Sequence, residues 1–309
     1  MIRPFPVSPV LTAISLAYRN PDVALIADDV LPPTPVSAEF KWLKYDLAAG
    51  YSVPDLKVGR KSYPTEVEFN ATEQTDRVAD YGLSDFIPNE DIEADNQGVD
   101  PRGTAVTYLT NLVRLGREIR AAGLVFNTSS YVAGNQATLS GTSQWSDTTN
   151  SNPVDAIGDA LDVPIYRPNI AVFGQAAWTK TRRHPKLVQA IKGTAQGAGM
   201  VSRQEFADFF ELSDVYVGAG FVNNAKKGQT MSSARVWGKH CALIYRDRSA
   251  GPQAGVTFGF TAQWGNRTSG SLPDQRRGAS GGEEVRVIER CKELVVAPDL
   301  GFYFQNVVA

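Results

Sequence analysis

The chain has 309 residues, a formal net charge of -2 and a pI near 5.8, with 42% hydrophobic and 21% charged residues. This balance suits a folded globular protein with a sizeable core and excludes a global basic field that would gather nucleic acid. Two cysteines, Cys241 and Cys291, are too few for a disulfide scaffold and suit a reducing compartment as free, buried thiols, and no apolar run approaches the roughly 20 residues of a bilayer span.

Residues 1–37 hold seven prolines, at 4, 6, 9, 21, 32, 33 and 35, so they form neither one helix nor a central strand. They also carry Val10, Leu11, Ile14, Leu16, Val23, Leu25, Ile26, Val30 and Leu31, too many apolar side chains to leave in water. Both facts predict an extended arm that buries these residues on another surface, with a reach on the order of 100 Å at ~3.3 Å per residue. Glu39–Asp46 alternates in part and Thr65–Asn70 strictly, with Gly50, Pro54, Gly59 and Pro64 between them. That pattern predicts two strands joined by a long tip, a hairpin too marginal to stand without a partner.

A long helix is predicted over Thr104–Ala122, with Val106, Leu109, Leu112, Val113, Gly116 and Ile119 on one face and Arg114, Arg117, Glu118 and Arg120 mainly on the other. Residues 127–152 read as a polar loop. Asn152-Pro153-Val154-Asp155 reads as a helix start, and Ser202-Arg203-Gln204-Glu205 as a capping box opening a helix over 206–212. Between them lies Tyr166–Gly193: a short apolar strand (Ile170–Phe173), Gly174, a helical segment bearing Trp178, and a His184-Pro185 step into another helix. Strands are predicted at 214–222, 234–245 and 256–264. An exposed loop is predicted over 265–282, then a strand over 284–288 and a closing pair over 293–308.

Little in this chain points to catalysis. His184, ahead of Pro185, reads as the end of one helix and the cap of the next. His240 and Cys241 are adjacent on a strand and face opposite ways, and no zinc-ligand spacing occurs. Val215-Tyr-Val-Gly218-Ala-Gly220 opens like a dinucleotide-binding turn, but Asn223 replaces the third glycine and no helix follows. The acidic run Asn89–Asp95 lacks the glycine-centred spacing of a calcium loop. Arg182, Arg183, Lys186, Arg267, Arg276 and Arg277 read as solvated faces or inter-subunit ion pairs.

The order of these elements resembles the tailed-phage major capsid proteins of the HK97-type fold. The resemblance runs over nearly the whole chain and is sharpest at 152–222. It implies an α+β fold, with residues 1–37 as the N-terminal arm and 38–83 as the extended hairpin loop. Residues 84–149 and 281–309 become a peripheral domain around the spine helix, and 150–280 an axial domain. It further implies self-assembly into hexamers and pentamers that close an icosahedral shell around phage DNA, a location in the virion after assembly in the host bacterial cytoplasm, and neither catalysis nor a cofactor, metal or membrane. Decoration, scaffolding and portal proteins are the further partners it suggests, with non-specific contact to packaged DNA. With no long charged coiled coil ahead of the arm, scaffolding is expected to be separate or absent. The implied interface residues are Leu11, Ile14, Leu16, Leu25 and Ile26 in the arm and Lys57, Arg60 and Lys61 in the hairpin. Some relatives join subunits by a Lys–Asn bond. Lys57 or Lys61 with Asn223 or Asn224 are the candidates here, without a local signature. The rival classes are an encapsulin-like nanocompartment shell, a structural protein of another phage part, and a soluble α+β enzyme.

Overall fold

Two five-stranded sheets are joined by one 25-residue helix. The computed structural model describes residues 25–45, 51, 53–66, 71–93, 100–193, 197–226, 228–230, 232–252 and 255–309. In chain order, a single helical turn, α1 (Ala27–Val30), leads to β1 (Pro33–Pro35). β1 pairs in parallel with β11 (Gly259–Gln263) at the end of the sheet, a position that tolerates two prolines because an edge strand can spare a donor.

β2 (Glu39–Tyr45) and β3 (Ala71–Arg77) form an antiparallel ladder with Glu39 opposite Arg77. The described return strand of the hairpin, β3, lies beyond the alternating stretch predicted at 65–70. Thr65 and Glu66 are irregular, and 67–70 lie outside the described residues. That return strand, Ala-Thr-Glu-Gln-Thr-Asp-Arg, carries no apolar alternation because its side chains from Thr72 to Arg77 stay exposed or half-buried.

β4 (Ala79–Pro88) runs along one edge of the long β13 (Gly282–Val295). The other edge of β13 takes β12 (Thr268–Asp274) along 282–288 and β11 along 291–295. The loop expected over 265–282 thus contains a strand at 268–274, with exposed turns after it at 275–280. Its Ser, Gly and Pro content suits an edge, where Pro273 interrupts nothing. β11 and β12 share this sheet with β13, so the expected domain boundary at 280 passes through a ladder.

After the short acidic α2 (Asn89–Glu93) comes the connecting helix α3 (Pro101–Val125), longer at both ends than the predicted 104–122. Asp100 caps it by accepting from the Arg102 amide at 3.0 Å, with Pro101 in the first turn. Its first half buries Val106, Leu109 and Val113 against Ile87, Val285 and Val287. Its last turns bury Ala121, Ala122 and Val125 against the second sheet.

The second sheet runs β5 (Gln136–Thr138), β14 (Gly301–Gln305), β10 (Cys241–Ile244), β6 (Ile170–Gly174), β7 (Asp214–Gly218). β13 and β14 therefore do not close as a pair, because they belong to different sheets. Alternate side chains of β6 and β10 serve two cores. Ala171, Phe173, Cys241 and Leu243 face one cluster, while Ile170, Val172, Ala242 and Ile244 face the cluster at the end of α3. Burial on both faces explains the unbroken apolar run in β6.

Over the first of these clusters lie α4 (Pro153–Asp162), α5 (Gln175–Thr181), α6 (Pro185–Lys192) and α7 (Arg203–Phe210). Asn152 caps α4, and the Ser202–Glu205 capping box opens α7 as predicted, one turn earlier than the helix was placed. Trp178 is 2% exposed, with its ring 5.3 Å from that of Phe173 and 5.5 Å from that of Phe206. His184 occupies the N-cap position of α6, but its side chain caps nothing. The ring turns into the core, with Nε2 3.1 Å from the Ser151 hydroxyl.

Candidate assembly surfaces

Residues 25–31, part of the arm expected over 1–37, are held by their own subunit. Ile26 is buried, with Ala27, Val30 and Leu31, in the cluster at the end of α3, and Leu25 is half-buried. One carboxylate, Glu118, takes the free donors of α1. Its Oε1 accepts from the Ile26 amide at 2.7 Å and its Oε2 from the Ala27 amide at 2.9 Å. The same Oε1 accepts from the Trp237 indole at 2.5 Å. The amides at a helix start have no partner within the helix, and negative charge is favoured there. Burial pushes the Glu118 carboxyl above its usual range, and these donors draw it back only in part.

Around this hook a buried ion network closes. Arg117 reaches Asp28 of α1 at 2.5 Å and Glu289 of β13 at 2.6 Å, and Arg267 reaches Glu289 at 2.6 Å. Burial pushes the Glu289 carboxyl up, but the two guanidinium groups outweigh it and hold it below the ordinary range. At the far end of α1, the Asp29 carbonyl accepts from Arg246 and the Leu31 carbonyl accepts from the Thr261 hydroxyl at 3.0 Å.

Arg117 and Glu118 were expected on the outer face of α3, whereas both are buried and Ile119 is 41% exposed. A signal for this lay in the spacing 106, 109, 113, 117, 121, which runs straight through Arg117 at helical periodicity. The glycines after β7 find a similar explanation. A side chain at Gly218 would strike the Trp237 ring, so this glycine seats the indole that bonds Glu118. A short hairpin follows, β8 (Phe221–Asn223) and β9 (Ser233–Arg235), and the side-chain Oδ1 of Asn223 closes its turn by accepting from the amides of Ala225 and Ser232, each at 3.0 Å.

The other excursion, the β2–β3 hairpin, is anchored mainly along β2. Phe40 is buried with Val78, Phe260, Ala262 and Leu294, and the Leu43 amide donates to the Pro252 carbonyl at 3.1 Å. Lys292 reaches Asp76 at 2.5 Å. Towards the tip burial ceases: Val53 is 77% exposed, Leu56 76% and Tyr63 96%. The tip keeps its own shape through a turn from Gly59 to Ser62 (3.1 Å) and a bond from the Thr65 hydroxyl to the Asp55 carbonyl (3.1 Å), while Tyr51 meets Tyr166 of the same subunit. Lys57, Arg60 and Lys61 are exposed and have no ion-pair partner among the described residues. Leu11, Ile14 and Leu16 lie outside the described residues.

The remaining chemical candidates do not converge. The His240 Nδ1 accepts from the Asn306 amide at 3.0 Å, while Cys241 faces the opposite core. Among the described residues no three His, Cys, Asp or Glu side chains are placed to hold a metal ion, and no helix is long and apolar enough to cross a membrane. Of the basic residues singled out, Arg267 is buried on Glu289, Lys186 donates to the Ser151 carbonyl at 2.7 Å, and Arg277 meets Asp274 at 3.4 Å.

A long helix between two mixed sheets, with a long exposed hairpin, is the architecture of the HK97-type fold. No family model matches the chain. The comparison with curated proteins is decisive: the chain is 52% identical to the major capsid protein of Pseudomonas phage JBD67, over 99% of this chain and 98% of that one. It is also 26% identical to the major capsid protein of Burkholderia phage BcepMu, over 97% and 96% of the two chains. The chain belongs to the tailed-phage major capsid proteins, and it is a structural protein of the capsid shell. Among solved structures, a phage-related protein from Bordetella bronchiseptica aligns with a TM-score of 0.74 at 20% identity, covering 97% of both chains. The capsid of cyanophage P-SCSP1u aligns at 0.59 and 12% identity over 94% of this chain and 89% of that one. The SrpI encapsulin of Synechococcus elongatus shares the fold more weakly, at 0.56 and 11% identity over 98% and 96%.

Proposed function

We propose that the subunit assembles with copies of itself into hexameric and pentameric capsomers and closes an icosahedral shell around phage DNA, in the cytoplasm of the host bacterium. The observation that carries this reading is the hairpin tip. Three large exposed apolar side chains and three cations without an ion pair among the described residues sit at the tip of a two-stranded ribbon, and such a ribbon is marginal in water. A neighbouring subunit supplies the missing partner: it covers Val53, Leu56 and Tyr63, and its carboxylates meet Lys57, Arg60 and Lys61. Residues 1–24, with Leu11, Ile14 and Leu16, reach a second neighbour, while Leu25 and Ile26 act as the root that aims them. The peripheral domain is the sheet of β1, β4, β11, β12 and β13 with α3, and the axial domain is the second sheet with α4–α7. Portal, scaffolding and decoration proteins meet this shell from outside the subunit, and DNA contacts it non-specifically.

Negative-stain microscopy of the purified protein tests the reading. Uniform closed shells from the wild type are expected. Shells should be lost when 53–64 is replaced by a short Gly-Ser turn, with subunit folding unchanged. Small discrete particles from the wild type would refute it.

A further inference from the structure

Two helical surfaces beside the second sheet carry opposite charges that this subunit leaves largely unmatched. On α4, Asp155, Asp159 and Asp162 recur at i, i+4 and i+7, which aligns them on one face. The core side of that helix is Ile157, Ala160 and Leu161. Asp159 is exposed with no ion pair among the described residues, Asp155 is met only by the Asn152 amide, and Asp162 pairs with Arg167 in open solvent.

The opposite charge gathers where α5 ends and α7 begins. The Arg182 carbonyl accepts from the Val201 amide at 2.9 Å, which brings the approach to α7 against the end of α5. Arg182, Arg183 and Arg203 meet there. Partial burial, and then the charge of Arg182, hold the Arg203 guanidinium below its ordinary range. Arg183 turns to the Met200 sulfur at 3.3 Å rather than to a carboxylate. The Nε of Arg182 is buried without a hydrogen-bond partner, and none of the three forms an ion pair among the described residues. The nearby acid Glu205 is already engaged by the Ser202 amide and by Lys192. Gathered like charges repel, so this corner is built for an anionic surface from outside the subunit.

A closed ring of identical subunits joins two different patches of each copy, and this chain displays a matching pair. We propose that the Asp155–Asp159 face of α4 in one copy docks on the Arg183–Arg203 corner of the next copy around the capsomer ring. The proposal rests on the shell reading above and names one contact within it.

The test uses two charge-reversed chains, Asp155→Lys with Asp159→Lys and Arg183→Glu with Arg203→Glu. All four positions are exposed, so each variant should melt like the wild type, and melting curves check this. Each expressed alone should yield at least tenfold fewer closed shells than the wild type. A single chain carrying all four reversals should restore shells, because it presents Lys to Glu at every contact of hexamers and pentamers alike. Full shell yield from either variant alone would overturn the proposal, as would a four-fold variant that folds but restores nothing. Normal shells that have lost only packaged nucleic acid would overturn it in favour of a polyanion at the arginine corner. Failure of the wild type itself to form shells would count against the shell reading instead.

Discussion

The arm root and the hairpin tip look alike in sequence, both apolar residues on segments punctuated by proline. The structure separates them. At the root, Ile26 and Leu31 enter the subunit's own core, and the amides of residues 26 and 27 end on one buried carboxylate. At the tip, Tyr63 is 96% exposed and the cations are unpaired among the described residues. Apolar content alone does not say whether an excursion serves its own fold or a neighbour. The polar partners decide it, because a buried backbone donor without an acceptor costs about as much as a lost hydrogen bond.

The core benchmark is Trp178→Ala, which should cost about 3–5 kcal/mol, as for other large aromatics removed from a core, and should misfold the subunit before it assembles. Denaturant unfolding of the unassembled subunit reads this directly. Removing the hook by Glu118→Ala should come next, at about 2–4 kcal/mol, since it leaves three buried donors unsatisfied at roughly 1–3 kcal/mol each and such losses do not add fully. It should also raise hydrogen exchange at the amides of residues 26 and 27 while Trp178 stays packed. A midpoint equal to the wild type would mean that the root is not held from within the subunit.

The ion network at the root predicts a pH dependence at both ends of the scale. Glu289 titrates below its unfolded value in the fold, so its contribution is present above about pH 4.3 and is lost as pH falls through the lower folded value. Cys291 behaves in the opposite sense. Burial first, then Glu289 and Glu293, push its thiol up to about 12. The neutral thiol therefore supports the fold below about pH 8.5, and that support is lost as pH rises towards 12. Cys291→Ala should remove one proton's worth of the alkaline slope, about 1.4 kcal/mol per pH unit. An unchanged slope in denaturant titrations between pH 9 and 11 would contradict the burial of this thiol beside two carboxylates.

The smallest effect on the subunit and a large one on the shell are expected at the tip. Reversing Lys57, Arg60 and Lys61 to Glu should shift the subunit by no more than about 0.5 kcal/mol, as for other surface changes. Shells should nevertheless weaken, most visibly at low salt, because screening sets in over about 10 Å at 0.1 M. Shell yields that match the wild type across a salt series would remove these cations from the interface.

Local signals made part of this fold legible. The Asn152 and Ser202 caps, the His184-Pro185 break and the apolar run of β6 each act over a few residues, and each appears in the structure. What escaped was set by distant partners. β3 and β12 have the composition of loops because one stands on a solvated ribbon and the other on an edge. β13 and β14 are neighbours in sequence yet pair in different sheets. Arg117 and Glu118 look like surface charges until α1, β13 and Trp237 close over them, and Glu289 lies 172 residues from Arg117. The cations of the tip could be named from sequence, because a long Gly- and Pro-bearing connection between strands leaves its charges in solvent.

The most direct test of the division between root and tip is one triple variant, Val53→Ser, Leu56→Ser and Tyr63→Ser, assayed for shell formation and subunit unfolding together. The account predicts an unfolding midpoint equal to that of the wild-type subunit under non-assembling conditions, with closed shells absent by microscopy. Normal shells, or a midpoint that falls by the amount expected of a core substitution, would contradict it.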